Sequence, residues 1–175
     1  MPPHCDSLDG PVVTAARDAL DTGDVEVVLP YVPEAGEPEV RDAFDLAART
    51  RTLGDGAREV AERWFFETVV RVHRAGEGAP FTGLKPAGLD VGPVIPAAER
   101  SLETGSPAEL SDILCTIVRE EAERRHRHVM ELQARAGDNV ASARQYVQEM
   151  LGLQVWAHHL AGQAKADPHE HASRS

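Results

Sequence analysis

An internal repeat is the feature that most constrains the fold of this chain. Residues 10–23 (GPVVTAARDALDTG) and residues 92–105 (GPVIPAAERSLETG) are identical at eight of fourteen positions. Residue frequencies of roughly 7% would give about one match by chance. A second stretch, residues 57–76, agrees with residues 143–162 at six of twenty positions, and His73 is matched there with His159. The sequence therefore predicts a duplicated helical unit of about 85 residues.

Helix-boundary residues and apolar periodicity predict helices in both copies. Gly10-Pro11 is typical of a helix start and Gly23 of a helix end. A short apolar run over residues 25–32 follows and ends among prolines. The predicted helices cover residues 10–23, 39–51, 55–75, 92–104, 106–136 and 139–162. Because no alternating apolar run of strand length is left over, the predicted fold class is all-α.

Two duplicated helical hairpins that pack face to face would form a four-helix bundle with a pseudo-twofold axis. The shorter helices would cap this bundle. We therefore predict one helical-bundle domain over residues 1–162, with the repeat at about 10–76 and 92–162. The segment 163–175 contains no apolar residue larger than alanine, so it is predicted to be a disordered tail.

Composition and charge narrow the classes of function. The formal net charge is −11, which disfavours nucleic acid and anionic membranes as partners. No stretch is apolar enough to span a membrane, and the N-terminus lacks the features of a signal peptide. The two cysteines, Cys5 and Cys115, lie far apart in sequence, so a reducing cytoplasm is the expected location.

The matched histidines predict a metal site. Equivalent side chains of a duplicated bundle lie near each other when they are close to the pseudo-twofold axis, so His73 and His159 could share one ion. The repeat register selects His159 rather than its neighbour His158. His128 lies on the same helix face as Glu121 and is a further candidate ligand, although the charged run around it is also typical of a solvated helix face.

The N-terminal segment adds His4, Cys5 and Asp6 directly before the first predicted helix. Imidazole, thiolate and carboxylate groups are common metal ligands, so His4 is a candidate ligand and Cys5 a candidate catalytic or ligand residue. The alternative is that Asp6 and Asp9 cap the helix and that the cysteine is incidental.

Glu67 lies within the apolar run WFFETVV and needs a partner there. One interpretation is a structural ion pair with Arg71, four residues along the same helix. The other is that Glu67 points inward and binds a metal or moves protons, with Arg71 beside it in a catalytic site.

The glycine-rich segment 76–92 (GEGAPFTGLKPAGLDVG) is long for a loop, and such loops are often functional. We interpret it as a candidate lid, with Thr82 and Lys85 as candidate ligand contacts. It lacks the Gly-Lys-Ser/Thr ending of a phosphate-binding loop, and it follows a helix rather than a strand. No nucleotide cofactor is therefore expected.

The segments HCDSLDGPV (4–12), WFFETVVRVHRAGEGAPFTGLKPAG (64–88) and His158-His159-Leu160 resemble an uncharacterised prokaryotic family of unknown function. This resemblance covers about residues 2–162 and implies no activity. In addition, His4-Cys5-Asp6 resembles the N-terminal metal hook of nickel superoxide dismutase, which is itself a four-helix bundle. The second cysteine of that hook has no counterpart, because Asp9 and Gly10 occupy its region.

Two hypotheses of function follow. The first is a metal-binding enzyme that acts on a small molecule, marginally an oxidoreductase, with one Zn, Fe, Mn or Ni ion and the loop 76–92 as a cover. The second is a non-catalytic ligand-binding or scaffold bundle whose His and Glu residues form a buried polar network. The sequence does not decide between enzyme and binding protein. The sequence also leaves open whether the chain forms a homo-oligomer, because Tyr146 and Trp156 fit either a core or an interface.

Overall fold

The computed structural model describes residues 3–167, and these residues form helices and turns without a β-strand. The predicted all-α class is confirmed. The chain divides into two compact units, Met1–Val91 and Gly92–Ser175, which we call unit 1 and unit 2. Among the described residues, no helix is both long enough and apolar enough to cross a membrane.

Unit 1 contains three α-helices: α1 (Pro11–Thr22), α2 (Glu37–Thr50) and α3 (Asp55–Gly76). Short 3-10 turns at Val25–Val27, Leu29–Tyr31 and Glu34–Gly36 carry the chain from α1 to α2. Another turn, Pro3–Asp6, precedes α1. The helix bounds agree with the predicted ones to within two residues.

Two glycines set the ends of α1. A Cβ atom on Gly10 would lie 1.8 Å from the backbone oxygen of His4, so only glycine allows the N-terminal turn to approach the start of the helix. Pro11 follows as the first helical residue. At the other end, Gly23 has a φ of 73° and donates its backbone N–H to the carbonyl of Ala19, which closes the helix in the left-handed conformation.

The core of unit 1 lies around α3, which packs against both α1 and α2. Phe65, Val69 and Val70 of α3 are fully buried. The ring of Phe65 meets the ring of Phe44 edge-to-face, with 5.9 Å between the ring centres. The prediction that residues 55–75 form a central helix is confirmed.

Unit 2 contains α4 (Val94–Thr104), α5 (Ala108–Gln133) and α6 (Val140–Gln163). A short connection makes α5 and α6 an antiparallel hairpin, and the Asn139 side chain caps α6 by accepting the N–H of Ser142. Tyr146 and Trp156 both make contacts within this hairpin. Gln133 Nε2 donates to the Tyr146 hydroxyl. The Arg125 guanidinium stacks on the Trp156 ring.

The described part of each unit has three α-helices, and unit 2 begins where the second sequence copy begins. The central helices differ, however. In unit 1 the third helix, α3, packs against the other two, whereas in unit 2 the second helix, α5, does so. The structural duplication and the pseudo-twofold four-helix bundle therefore stay predictions. The predicted disordered tail lies mostly outside the described residues, because α6 extends to Gln163 and only 164–167 follow.

Candidate functional site

A buried ion network joins the N-terminal turn to the end of α3. Arg74 Nε donates to Asp6 Oδ1 over 2.6 Å, and Arg74 Nη1 donates to Glu77 Oε2 over 2.9 Å. The Arg74 and Asp6 side chains are each only 5% exposed. Hydrogen bonding to Asp6 raises the pKa of Arg74 above its ordinary value. Because removal of either partner would leave a buried charge, this network fixes the N-terminal turn in place.

This network corrects one interpretation of the sequence. Asp6 and Asp9 do not cap α1, because the capping position is Gly10 and no side chain bonds the helix start. Asp6 is instead the buried partner of Arg74. Asp9 Oδ2 accepts the backbone N–H of Gly88 over 2.7 Å, which lowers the pKa of Asp9.

His73 is held by a hydrogen bond at one ring nitrogen and faces a carboxylate at the other. Its Nδ1 lies 2.6 Å from the backbone oxygen of Tyr31. Because that oxygen can only accept, Nδ1 carries the proton and donates. The Nε2 atom is buried and lies 3.2 Å from Glu77 Oε1 without the alignment of a hydrogen bond. His73 and Glu77 thus present a nitrogen and an oxygen side by side, which are two of the donors that a metal ion would need.

Cys5 lies close to this network and is half-buried. Burial raises the pKa of the Cys5 thiol, and the nearby Glu77 carboxylate raises it further, while Arg74 opposes both effects. The group is therefore a neutral thiol at neutral pH. Nucleophilic catalysis and metal binding both require the thiolate, so this environment disfavours the catalytic role predicted for Cys5.

The four histidines predicted as metal ligands belong to different units. His4 and His73 are in unit 1, and His128 and His159 are exposed side chains of unit 2. His158 and His159 are both exposed, with 6.0 Å between their ring centres, so neither points into the interior of unit 2. Within residues 3–167, no group of three His, Cys, Asp or Glu side chains is arranged to hold a metal ion. The metal site stays a prediction.

The glycine-rich loop is tied to the N-terminal turn by its backbone. Lys85 donates its N–H to the carbonyl of Asp6 over 2.8 Å, and its own carbonyl accepts the N–H of Leu8 over 3.0 Å. The Lys85 ammonium group donates to the carbonyl of Thr82 within the same loop. In the described residues, Lys85 and Thr82 thus contact their own loop, and their role as ligand contacts stays a prediction. Phe81 of this loop packs against the core of unit 1.

A groove of about 740 Å³ lies between α2 and α3, and Phe81 forms part of its wall. Its volume falls within the range of small-molecule sites. Trp64 is 42% exposed and Leu46 is 47% exposed, so both present apolar surface to a ligand. The residues that line the groove are Glu39, Asp42, Ala43, Leu46, Trp64, Glu67, Thr68, Arg71 and Phe81.

The ion pair expected between Glu67 and Arg71 is absent from the described residues. Glu67 pairs instead with Arg63, one turn earlier on α3, over 3.3 Å. Arg71 donates to Glu39 of α2. The other interpretation had Glu67 pointing inward, whereas it lies on the groove wall with a side chain 40% exposed.

Sequence reasoning missed the two carboxylates of α2 and the partners Arg74 and Glu77. The spacing of Arg74 and Glu77, three residues apart across the C-terminal end of α3, is a usable signal. Glu39 and Asp42 carried no comparable signal, because their place at the groove depends on how α2 packs against α3.

Comparison with known proteins identifies a family for the chain but no activity. A family model described as a family of unknown function, DUF6448, matches residues 9–156. No curated protein matches the chain. No solved structure matches it either.

Proposed function

The chain belongs to this family of unknown function, DUF6448, and we propose from its own geometry that it is a ligand-binding protein whose groove between α2 and α3 takes a small molecule. The observation that carries the proposal is the groove itself. Its volume is about 740 Å³, and both apolar side chains and charged groups reach its surface. A site of this size and composition suits a ligand of modest size.

The ion network supports binding more than catalysis. Arg74 is hydrogen-bonded to both Asp6 and Glu77, and Nδ1 of His73 is committed to the carbonyl of Tyr31. Through the hydrogen bonds of Lys85 to Asp6 and Leu8, the same region anchors the loop that carries Phe81. The network thus serves to hold one wall of the groove in position, as expected for a preorganised binding site.

A variant that fills the groove tests this proposal. Leu46 is exposed on the groove wall, so Leu46→Trp adds bulk there at little cost to folding. The matched control is Leu53→Trp, because Leu53 is 78% exposed and does not line the groove. A mixture of neutral, cationic and anionic aromatic fragments is screened against each protein by saturation-transfer NMR.

We expect some fragments to bind the parent protein and the Leu53→Trp variant but not the Leu46→Trp variant. The proposal fails if no fragment binds the parent protein, or if Leu46→Trp leaves every bound fragment in place. Circular dichroism of both variants confirms that their helical content is unchanged.

A metal-binding enzyme is the second candidate, and one observation favours it. His73 Nε2 and Glu77 Oε1 lie 3.2 Å apart without a well-aligned hydrogen bond between them, a separation that two ligands of one ion can have. Elemental analysis of the untagged protein tests this candidate. One equivalent of a transition metal, lost in His73→Ala, would support it, and less than a tenth of an equivalent after reconstitution would exclude stoichiometric binding.

A further inference from the structure

The groove between α2 and α3 places an aromatic wall beside carboxylates. Trp64 and Phe81 supply the rings, and Asp42 and Glu67 supply carboxylates at the same surface. We propose that the ligand of this groove is a small organic cation of the methylated ammonium class. This inference rests on the proposed function, since it names the chemical class that the groove would select.

The charges of the groove favour a cation. Its lining has three carboxylates, on Glu39, Asp42 and Glu67, and one guanidinium, on Arg71. Arg71 is bonded to Glu39, so these two charges compensate each other. Within residues 3–167, the ion-pair partner of Glu67 is the exposed Arg63, at 3.3 Å. The Asp42 side chain has no ion pair or hydrogen bond with any residue of the same range, so its charge is available to a ligand.

The aromatic wall favours a cation that is poorly hydrated. The face of a tryptophan ring attracts a positive charge that lies within about 6 Å of the ring centre, and quaternary ammonium ions are recognised in this way. The Thr68 hydroxyl, the one neutral hydroxyl among the groove-lining side chains, already donates to the carbonyl of Trp64 over 2.9 Å. With that hydroxyl engaged, the groove offers aromatic surface and negative charge, which suits a methylated nitrogen that needs no hydrogen-bond partner.

The electrostatic field of unit 1 also favours a cation. Residues 3–91 include 17 acidic side chains and 9 basic ones. This excess of negative charge raises the local concentration of cations near the groove and lowers that of anions, and salt weakens the effect. An anionic ligand of the same size would meet repulsion both from the surrounding field and from Asp42.

The test compares choline with 3,3-dimethyl-1-butanol, a neutral molecule of nearly the same shape. Affinities are measured by titration calorimetry at low salt for the parent protein, Asp42→Asn and Trp64→Leu. Asp45→Asn is the matched control, because Asp45 lies on the exposed surface of the same helix but does not line the groove. The circular dichroism spectrum of each variant confirms that it is folded.

We expect choline to bind at least about ten times more tightly than its neutral analogue, since charge is the main difference between them. Asp42→Asn and Trp64→Leu should each weaken choline binding by about three- to tenfold, and Asp45→Asn by less than about twofold.

Equal affinity for the two compounds would overturn the cation inference but leave the binding function standing. Absence of choline binding up to about 20 mM would also overturn it. A loss in Asp45→Asn as large as that in Asp42→Asn would overturn the placement of the cation in the groove. The fragment screen on Leu46→Trp decides the binding function separately, so the two failures are distinguishable.

Discussion

Unit 1 and unit 2 have similar helix orders but bury their apolar side chains to very different extents. In the described part of unit 1, the hydrophobic core contains 18 buried residues, all from Val12 to Val72. In the described part of unit 2, the buried apolar residues are Ala97 and Val129. In unit 1, α1, α2 and the turns between them pack around α3, whereas in unit 2 a hairpin with one short helix leaves its outer faces open. Similar local sequence signals in the two units therefore do not produce similar cores.

The surface hollows of the two units differ in chemistry as well. The groove of unit 1 has aromatic walls and an excess of carboxylates. A hollow of about 310 Å³ in unit 2 has two arginines, a histidine and a glutamate in its lining and no Phe, Tyr or Trp ring: Arg124, Arg127, His128 and Glu131. The groove of unit 1 is thus the larger of these two hollows and the one with aromatic walls, and this contrast is open to experiment.

The largest expected effect comes from the buried ion network of unit 1. Arg74→Met should lower the free energy of unfolding of unit 1 by about 3–5 kcal/mol, because it leaves the Asp6 carboxylate buried without its partner. The measurement is urea unfolding followed by the fluorescence of Trp64 in a Trp156→Phe background.

The control in unit 2 is Arg100→Met, which breaks the exposed pair of Arg100 with Glu109. It should leave the Trp64 unfolding curve of unit 1 unchanged, and also the Trp156 curve of unit 2 in a Trp64→Phe background, since exposed pairs contribute little. Equal losses for the two substitutions would remove the distinction between the units.

The next effect compares the same substitution in the two cores. Val69→Ala in α3 should lower the free energy of unfolding by about 2 kcal/mol, because Val69 is fully buried and the substitution leaves a cavity. Val147→Ala in α6 should cost less than about 1 kcal/mol, because Val147 is 45% exposed. Trp64 and Trp156 report on the two units in single-tryptophan variants. A cost for Val147→Ala as large as that for Val69→Ala would mean that the α6 face is covered in solution.

The two cysteines should differ in reactivity. Burial and Glu77 raise the pKa of Cys5, so a smaller fraction of it is thiolate at neutral pH, whereas Cys115 of α5 is exposed. We expect iodoacetamide to modify Cys5 at least about tenfold more slowly at neutral pH, with its rate still rising as the pH approaches its raised pKa. Mass spectrometry of the modified peptides measures both rates, and unfolding in guanidinium should make them similar. A faster reaction at Cys5 would support the catalytic role predicted for it.

The smallest effect is the acid titration of an exposed pair in unit 2. Arg124, with Arg125, lowers the pKa of Glu121 from 4.5 to about 2. The stabilisation from this pairing is therefore complete above pH 4.5 and is lost as the pH falls through about 2. Carbon-detected NMR of the carboxyl group should show this titration, and Arg124→Gln should return the pKa toward 4.5. An ordinary titration in the parent protein would contradict the pairing.

Local features of the fold could be predicted from the sequence. Gly10-Pro11 and Gly23 mark the ends of α1, and the apolar run around Phe65 identifies α3 as central, because both depend on neighbours along the chain. The site could be predicted only in part. His4-Cys5-Asp6 and His73 were identified as important, and unit 1 brings the Cys5–Asp6 turn and His73 to the same two residues, Arg74 and Glu77.

The groove could not be predicted, and the reason is physical. Asp42 and Trp64 are 22 residues apart and become neighbours only through the packing of α2 on α3. Helix periodicity shows which residues share a face but not which two faces meet. The expected pairing of Glu67 with Arg71 was wrong for the same reason, because Glu39 of another helix competes for Arg71.

The proposed function requires that the ligand binds in the groove of unit 1. The most direct measurement is a titration of the isotopically labelled protein with choline, followed by the chemical shifts of its backbone amides. We expect shifts confined to α2, α3 and the segment around Phe81, and Asp42→Asn should reduce them. Shifts centred on α5 near Arg124 and His128, or no shifts at saturating choline, would contradict it.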